Sequence, residues 1–268
     1  MRADLHEIAA SFDTRAPRYL RGGWHQLCAE RLVALSHLRP GGLVLDAATG
    51  TGLAALAAVR AVGSAGHVTG VDISAGMLRA AKVVADEPRL TNVEFVQADA
   101  CNLPHYSETF DAVTCAAGLL YMAADDALRE WHRVLKTGGI VGFSTMHGGS
   151  PPGGRIFREC AAAFGIRLQD PCEPLGSVAA SRRALTLAGF EVVEIVDEFI
   201  EFSAQDHALA WESNFGSIAY ADVRRLDEAH QHALREMYIE ALEREQRQNP
   251  DALNRASILY AIARKPGA

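Results

Sequence analysis

Apolar positions along this chain follow two periods, and each change of period marks an element. Up to Leu38 they recur at helical spacing, with Leu27, Cys28, Leu32 and Leu35 together, and Arg39-Pro40-Gly41-Gly42 stops the pattern. The spacing predicts a helical segment ahead of a sheet. Short apolar runs then alternate with helical stretches. Strands are expected at Val44–Asp46, His67–Asp72, Asn92–Asp99, Phe110–Ala116 and Ile140–Ser144. Helices are expected at Leu53–Val62, Ala75–Ala85 and Asp125–Leu135, the last with Leu128, Trp131 and Leu135 inward. A loop-rich stretch, Thr145–Pro174, holds one short helix over 156–164, and a helix over 182–188 precedes strands at Glu191–Ile195 and Ser257–Arg264. Between those two strands, Ser203 to Leu253 carries Leu226, Ala233, Leu234, Met237, Ala241 and Leu242 on one helical face. The alternation predicts an α/β protein with a Rossmann-like, doubly wound, mostly parallel sheet. Its divisions are an N-terminal helical segment (1–40), a core (41–202 and 254–268) and a helical insertion (203–253).

The stretch Val44 to Leu56, VLDAATGTGLAAL, reads as strand, tight loop and helix. Gly50 and Gly52 let the backbone lie against a ligand, and the helix from Leu53 points free N–H groups into the same space. Gly50-Thr51-Gly52-Leu53-Ala54-Ala55 also satisfies the loose dinucleotide fingerprint, so a nicotinamide or flavin enzyme is one reading of the loop. The acids argue for another. Asp46 ends the first strand, where its carboxylate suits a ligand ammonium and opposes a pyrophosphate. Asp72 ends the second, twenty residues past Gly52, where it suits two ribose hydroxyls. Asp99 ends the third. Adenosine joined to an amino acid fits this series better than a dinucleotide.

D-A-A-T-G-T-G at Asp46–Gly52, V-D-I-S at Val71–Ser74 and Q-A-D-A at Gln97–Ala100 resemble successive motifs of the class I S-adenosylmethionine-dependent methyltransferases. The likeness is to the ubiquinone/menaquinone-biosynthesis-like branch, and it runs from about Phe12 to Phe143. The first glycine of the usual D-x-G-x-G-x-G is Ala48 here, whose methyl should narrow the pocket slightly. The resemblance implies S-adenosyl-L-methionine as cofactor, with Ala48, Thr49, Gly50 and Gly52 in the loop around it. Asp46 would meet the methionine ammonium, directly or through water, Asp72 the ribose diol, and Asp99 the adenine amino group. Main-chain N–H of Ala100 or Cys101 would reach the adenine ring. Ile73 and Met77 would flank that ring, although Met77 also reads as core. The backbone of Cys115 and Ala116 would close the methionine end, with Cys115 otherwise a small buried hydrophobe. Phe12-Asp13-x-x-Ala16-x-x-Tyr19 resembles the family's N-terminal lid, in which Phe12 and Tyr19 cover cofactor and substrate. The plainer reading is that they staple a helix to the core. The family further implies that the closing strand inserts antiparallel.

Composition narrows the partners. The net charge is −7 over 268 residues with no basic run, which excludes the electrostatic footprint of a nucleic-acid binder. The five cysteines form no CxxC pair, reading as reduced thiols of a cytoplasmic protein. No run of about 18 apolar residues occurs, so neither a membrane nor export is expected. No Cys/His or acidic cluster suggests a metal.

Methyl transfer from a sulfonium is an in-line displacement that chiefly needs placement. A hydroxyl acceptor would also need a base, for which His147, past the fifth strand, is the first candidate and His25 the second. Either also reads as an ordinary surface or core histidine. Tyr121 lies where the branch often presents an aromatic to the methyl. Trp211 and Phe215 suggest an aromatic wall in the insertion, either for substrate beside Phe12, Tyr121 and His147 or as a satellite core. The reading is methyl transfer to an O, N or C nucleophile of a small acceptor in secondary or quinone-like metabolism, by a monomer or homodimer. Two rivals share the motifs: an enzyme of this fold that cyclises or rearranges its substrate without methyl transfer, and a nucleotide-binding module without turnover.

Overall fold

The computed structural model describes the chain except residues 1–3, 22, 87–89, 203–207, 250, 252 and 268, and describes 18, 20 and 21 by backbone alone. Seven strands form one sheet: β1 (Leu43–Ala47), β2 (His67–Asp72), β3 (Val93–Gln97), β4 (Phe110–Ala116), β5 (Leu135–Met146), β6 (Glu191–Glu201) and β7 (Arg255–Arg264). Their order is β3-β2-β1-β4-β5-β7-β6. The first five pair in parallel, and β7 lies antiparallel between β5 and β6. This is the Rossmann-like sheet with an antiparallel last strand.

Helices cover both faces, which is why β1 and β2 read as continuous apolar runs. On one face α2 (Trp24–Leu35) and α3 (Leu53–Val62) close over Val44, Val68 and Ala112. On the other, α5 (Ala124–Val134) and α7 (Val178–Leu187) pack on Leu45, Val113, Val141 and Phe143. α4 (Ala75–Asp86) lies against β2 and β3. Trp131 of α5 is fully buried and its Nε1 donates to the Ala100 carbonyl at 3.0 Å, tying this layer to the segment after β3.

Several boundaries differ from the sequence expectation. The N-terminal segment is two helices, α1 (Leu5–Arg15) and α2, split by a 3-10 turn over Ala16–Arg21 that contains Pro17. Leu27, expected inward, is 55% exposed, while Cys28 and Leu32 are buried. β5 begins at Leu135 because Gly138 and Gly139 form a bulge that keeps pairing, exchanging backbone bonds of 2.9 Å with Lys265. β6 continues to Glu201 against the full length of β7. α6 (Pro152–Ala163) starts on a proline, and α7 on the Ser177 cap, each four residues earlier than expected.

The 203–253 region contributes α8 (Ala210–Phe215), a 3-10 segment (Ile218–Arg225) and α9 (Glu228–Gln248), its first residues lying outside those described. The inward face of α9 is Leu234, Tyr238 and Ala241; Leu234 and Ala241 are as expected, with Leu226 and Leu242 packed against the same cluster, but Tyr238 replaces Ala233 and Met237. Met237 is 40% exposed and Ala233 is exposed, whereas Tyr238 is fully buried against Phe157 of α6. The apolar stripe is rotated because a tyrosine, not counted as apolar, carries it. Together α6, α8, the 3-10 segment and α9 form a satellite core.

Candidate functional site

The loop between β1 and α3 stands at the carboxyl end of the parallel strands, beside the point where the strand order reverses. Three of its dihedrals define it. Ala48, Gly50 and Gly52 all take positive φ, at 52°, 56° and 84°, and Gly52 opens directly into α3. A side chain on Gly50 would meet nothing within 4 Å, so the loop borders open space there.

Two carboxylates hold that shape. Asp46 is fully buried; its Oδ2 accepts from Thr49 Oγ1 at 2.6 Å and its Oδ1 from Thr114 Oγ1 at 2.8 Å. It therefore clamps β1, β4 and the loop together and presents no surface to a ligand in this conformation. Burial pushes its carboxyl up to about 6, against the opposing effect of the two threonine hydroxyls, with nearby Asp72 adding to the rise. Asp72, 8% exposed, accepts from Gly50 N and Ser74 N, both at 2.9 Å. Burial raises its pKa while those amides resist. Asp99 is half-buried, its Oδ1 accepting from Cys101 N at 2.8 Å, and a bridge to Asn102 turns the chain under Ala100 and Cys101. Asp72 and Asp99 thus end adjacent strands on the loop's side, and both are already engaged with backbone amides. Ile73 is half-buried beside them, whereas Met77 is completely buried and belongs to the core. Cys115 is likewise enclosed, burial holding its thiol far above the ordinary range, and Ala116 and Ala117 follow it into the Leu119–Tyr121 turn.

Over this end lies the N-terminal segment. Asp13 Oδ1 accepts from Ser74 Oγ at 2.6 Å and Gly76 N at 2.7 Å, so α1 caps the start of α4. These bonds hold Asp13 below the usual carboxylate range, Ser74 contributing most. Phe12 meets Tyr121 edge-on at 5.0 Å and Tyr19 at 6.4 Å; His25 lies 4.5 Å from Tyr19 and stacks on Trp24 at 3.7 Å. Burial, with the charge of Arg15, lowers His25 to about 3, which makes it a neutral imidazole. Phe12, Tyr19, His25 and Tyr121 are thus one group.

His147 is elsewhere. It borders an open cleft of about 590 Å³ with Ser150, Asp197, Asp251, Arg255 and Ser257, and that lining includes no residue of the N-terminal segment or the glycine loop. Trp211 and Phe215 stack on each other at 5.0 Å inside the satellite core, with Phe157 at 5.8 Å from Trp211. The substrate-binding residues expected from sequence are therefore split between three places. Among the described residues no group of three His, Cys, Asp or Glu side chains could hold a metal ion.

Sequence reasoning passed over Thr114, Asp13, Arg15 and Gly118. Gly118 matters to Ala48: a Cβ on Gly118 would fall 2.6 Å from the Ala48 Cβ and 3.0 Å from Cys115 Sγ. The alanine that replaces the usual first glycine fits because its methyl fills the space Gly118 leaves. No one-dimensional pattern pairs residues 70 positions apart; the signal was the departure at Ala48 itself.

Residues 44–139 match the family model of a methyltransferase domain. The chain is 42% identical over 137 residues to a ubiquinone/menaquinone biosynthesis C-methyltransferase UbiE of Ectopseudomonas oleovorans, covering 50% of this chain and 80% of that one. It spans about half the length of further curated relatives of the same name. Among solved structures it resembles one from Bacillus halodurans C-125, at TM-score 0.62 and 20% identity over 89% of this chain and 99% of that one. It also resembles the 4+2 cyclase SpnF, at TM-score 0.55 and 25% identity over 89% and 81%.

Two predictions arise from the loop. Gly118→Ala should cost about 1–3 kcal/mol from overpacking, and Ala48→Gly should remove much of that cost, giving a coupling on the order of 1 kcal/mol in a urea-unfolding cycle. Additive effects would separate the two positions. Asp46 titrates at about 6 when folded against an ordinary value of 3.8, so the folded state holds the extra proton between them and loses stability as pH rises through that window. Asp46→Asn lacks this loss. Its stability relative to the unmodified protein should improve from pH 4 to 6.5, and a pH-independent difference would contradict the assignment.

Proposed function

We propose that this chain, which belongs to the class I S-adenosylmethionine-dependent methyltransferases of the ubiquinone/menaquinone-like branch, methylates a nucleophilic atom of a small organic acceptor. S-adenosyl-L-methionine is the family's cofactor. The observation that carries the reading is Asp72 at the end of β2, joined to Gly50 N across a loop that opens on free space. A carboxylate so placed can accept from the two hydroxyls of a ribose while the loop backbone stays close to the sugar and the amino-acid tail.

We assign the remaining contacts accordingly. Asp99, with the main chain of Ala100 and Cys101, faces the adenine, and Ile73 lies along its ring. The loop from Ala48 to Gly52 lies along the ribose and methionine, with the Ala116 backbone beside it. Asp46 acts by organising Thr49 and Thr114, so its effect on the ammonium passes through the loop it holds. When bound, the cofactor supplies a methyl group on a sulfonium, open to attack from the side away from sulfur. Phe12, Tyr19 and Tyr121 exclude water from that side and hold the acceptor in line.

A proton on the acceptor needs a route out. His25 is neutral but weakly basic beside Arg15, and His147 opens on another cleft. Placement is therefore the main device, which suits an acceptor that is already nucleophilic, such as the electron-rich carbon of an enol or phenol. The C-methyltransferase relative favours carbon and quinone-like metabolism. The same reading takes residues 1–40 as a lid and 203–253 as a cap, since α1 touches both α4 and the 3-10 segment at Ile218–Arg225. It places the protein in the cytoplasm, without nucleic acid, as monomer or homodimer; among the described residues no helix is long and apolar enough to cross a membrane.

The test is transfer of labelled methyl to a panel of small phenols, enols and amines. Asp72→Ala should raise the cofactor KM by roughly tenfold or more, because each bond to the charged oxygen contributes about 1.5–3 kcal/mol. An unchanged KM would remove Asp72 from the site, and acceptor conversion without label would favour cyclisation.

A further inference from the structure

The lid holds a charge that none of these roles uses. Arg15, at the end of α1, places its guanidinium carbon 5.1 Å from the Phe12 ring centre and 5.7 Å from that of Tyr19. Burial works against its charge, and the phenols of Tyr121 and Tyr19 more than offset this, raising its pKa above the ordinary value. Those phenols, and no carboxylate, are the groups acting on it. Its Nη1 is buried without a hydrogen-bond partner, and so is Nδ1 of His25 on the other side of Tyr19.

A guanidinium cannot shed its charge to escape burial. An unpaired N–H enclosed with it is a standing penalty that only an acceptor relieves. The enclosure is not accidental drift of a loose helix. Asp13 latches α1 to the start of α4, and a Cβ on Gly76 would fall 2.9 Å from the Asp13 oxygen, so the approach is built into the glycine. The latch sits within two residues of Asp72, and Tyr121 brings Arg15 to the end of β4. The unpaired donor thus belongs to the aromatic group of Phe12, Tyr19 and Tyr121, beside the strand ends to which the cofactor is assigned above.

We propose that Arg15, with His25 as its neighbouring polar group, recognises an oxyanion of a ligand held beneath the lid. This rests on the cofactor reading given above. The oxyanion is a carboxylate or an enolate-type oxygen, supplied either by the methionine end of the cofactor or by an acidic acceptor. Its role is binding and orientation, and aromatic rings on both sides keep competing water away.

Calorimetry separates the sources. S-adenosylhomocysteine and 5′-methylthioadenosine share the nucleoside, but only the first carries a carboxylate, and benzoate added to the homocysteine-loaded protein stands for an acidic acceptor. If the cofactor supplies the oxyanion, Arg15→Met weakens S-adenosylhomocysteine about ten- to a hundredfold and leaves 5′-methylthioadenosine unchanged. If the acceptor does, both nucleosides are unchanged and the benzoate binding seen in the unmodified protein is lost. No change with any probe overturns the proposal. Should Arg15→Met weaken both nucleosides alike, Arg15→Lys decides, because it keeps the charge: a loss confined to the carboxylate-bearing probe supports recognition, and a parallel loss makes Arg15 structural. An unmodified protein that binds neither nucleoside overturns the cofactor reading itself.

Discussion

Two buried carboxylates, Asp46 and Asp72, hold the loop between β1 and α3, and the site depends on what their burial makes them do. A carboxylate removed from water must find donors, and these find threonine hydroxyls and backbone amides in the loop, on β4 and just past β2. The loop in turn sustains three positive φ angles, one of them on an alanine. Without those acceptors the chain would have little reason to keep so sharp a turn. With them, the start of α3 and the end of β2 stay in register at the edge of the ligand space.

The N-terminal segment extends the same logic. Asp13 finds its donors at Ser74 and Gly76, in the turn from β2 into α4, so the N-terminal helix is fastened just past the strand that ends on Asp72. The aromatic group it brings over the strand ends includes one cation, Arg15, close to the rings of Phe12 and Tyr19. On the function proposed, apolar walls would keep the acceptor placed and the fixed positive group would orient a negative oxygen.

Much of the core was legible because periodicity and acids report on it directly. The strands ending at Asp46, Asp72 and Asp99, the glycine loop and the antiparallel closing strand follow from local patterns or from the family they resemble. What escaped was non-local. Asp46 reads as a ligand contact in one dimension, yet Thr114 from β4 closes over it; of the two readings of Met77, adenine neighbour and core, its burial fits the core. On α9 Leu234 and Ala241 were legible, and what escaped was Tyr238, which is buried where Met237 was expected. The aromatic and histidine candidates lie apart: Tyr121 and His25 beside the N-terminal segment, His147 on an open cleft, and Trp211 with Phe215 in the satellite core, the second of the two readings the sequence allowed for them.

The central claim is that the loop at Gly50 and the acid at Asp72 select a cationic adenosyl amino acid over a dinucleotide. Titration of the purified protein with S-adenosylmethionine and, separately, NADH tests it most directly. The account predicts saturable binding of the first in the micromolar range and none of the second. Binding of NADH without S-adenosylmethionine would contradict it, because Asp72 and the Gly50 loop would then be serving a different nucleotide.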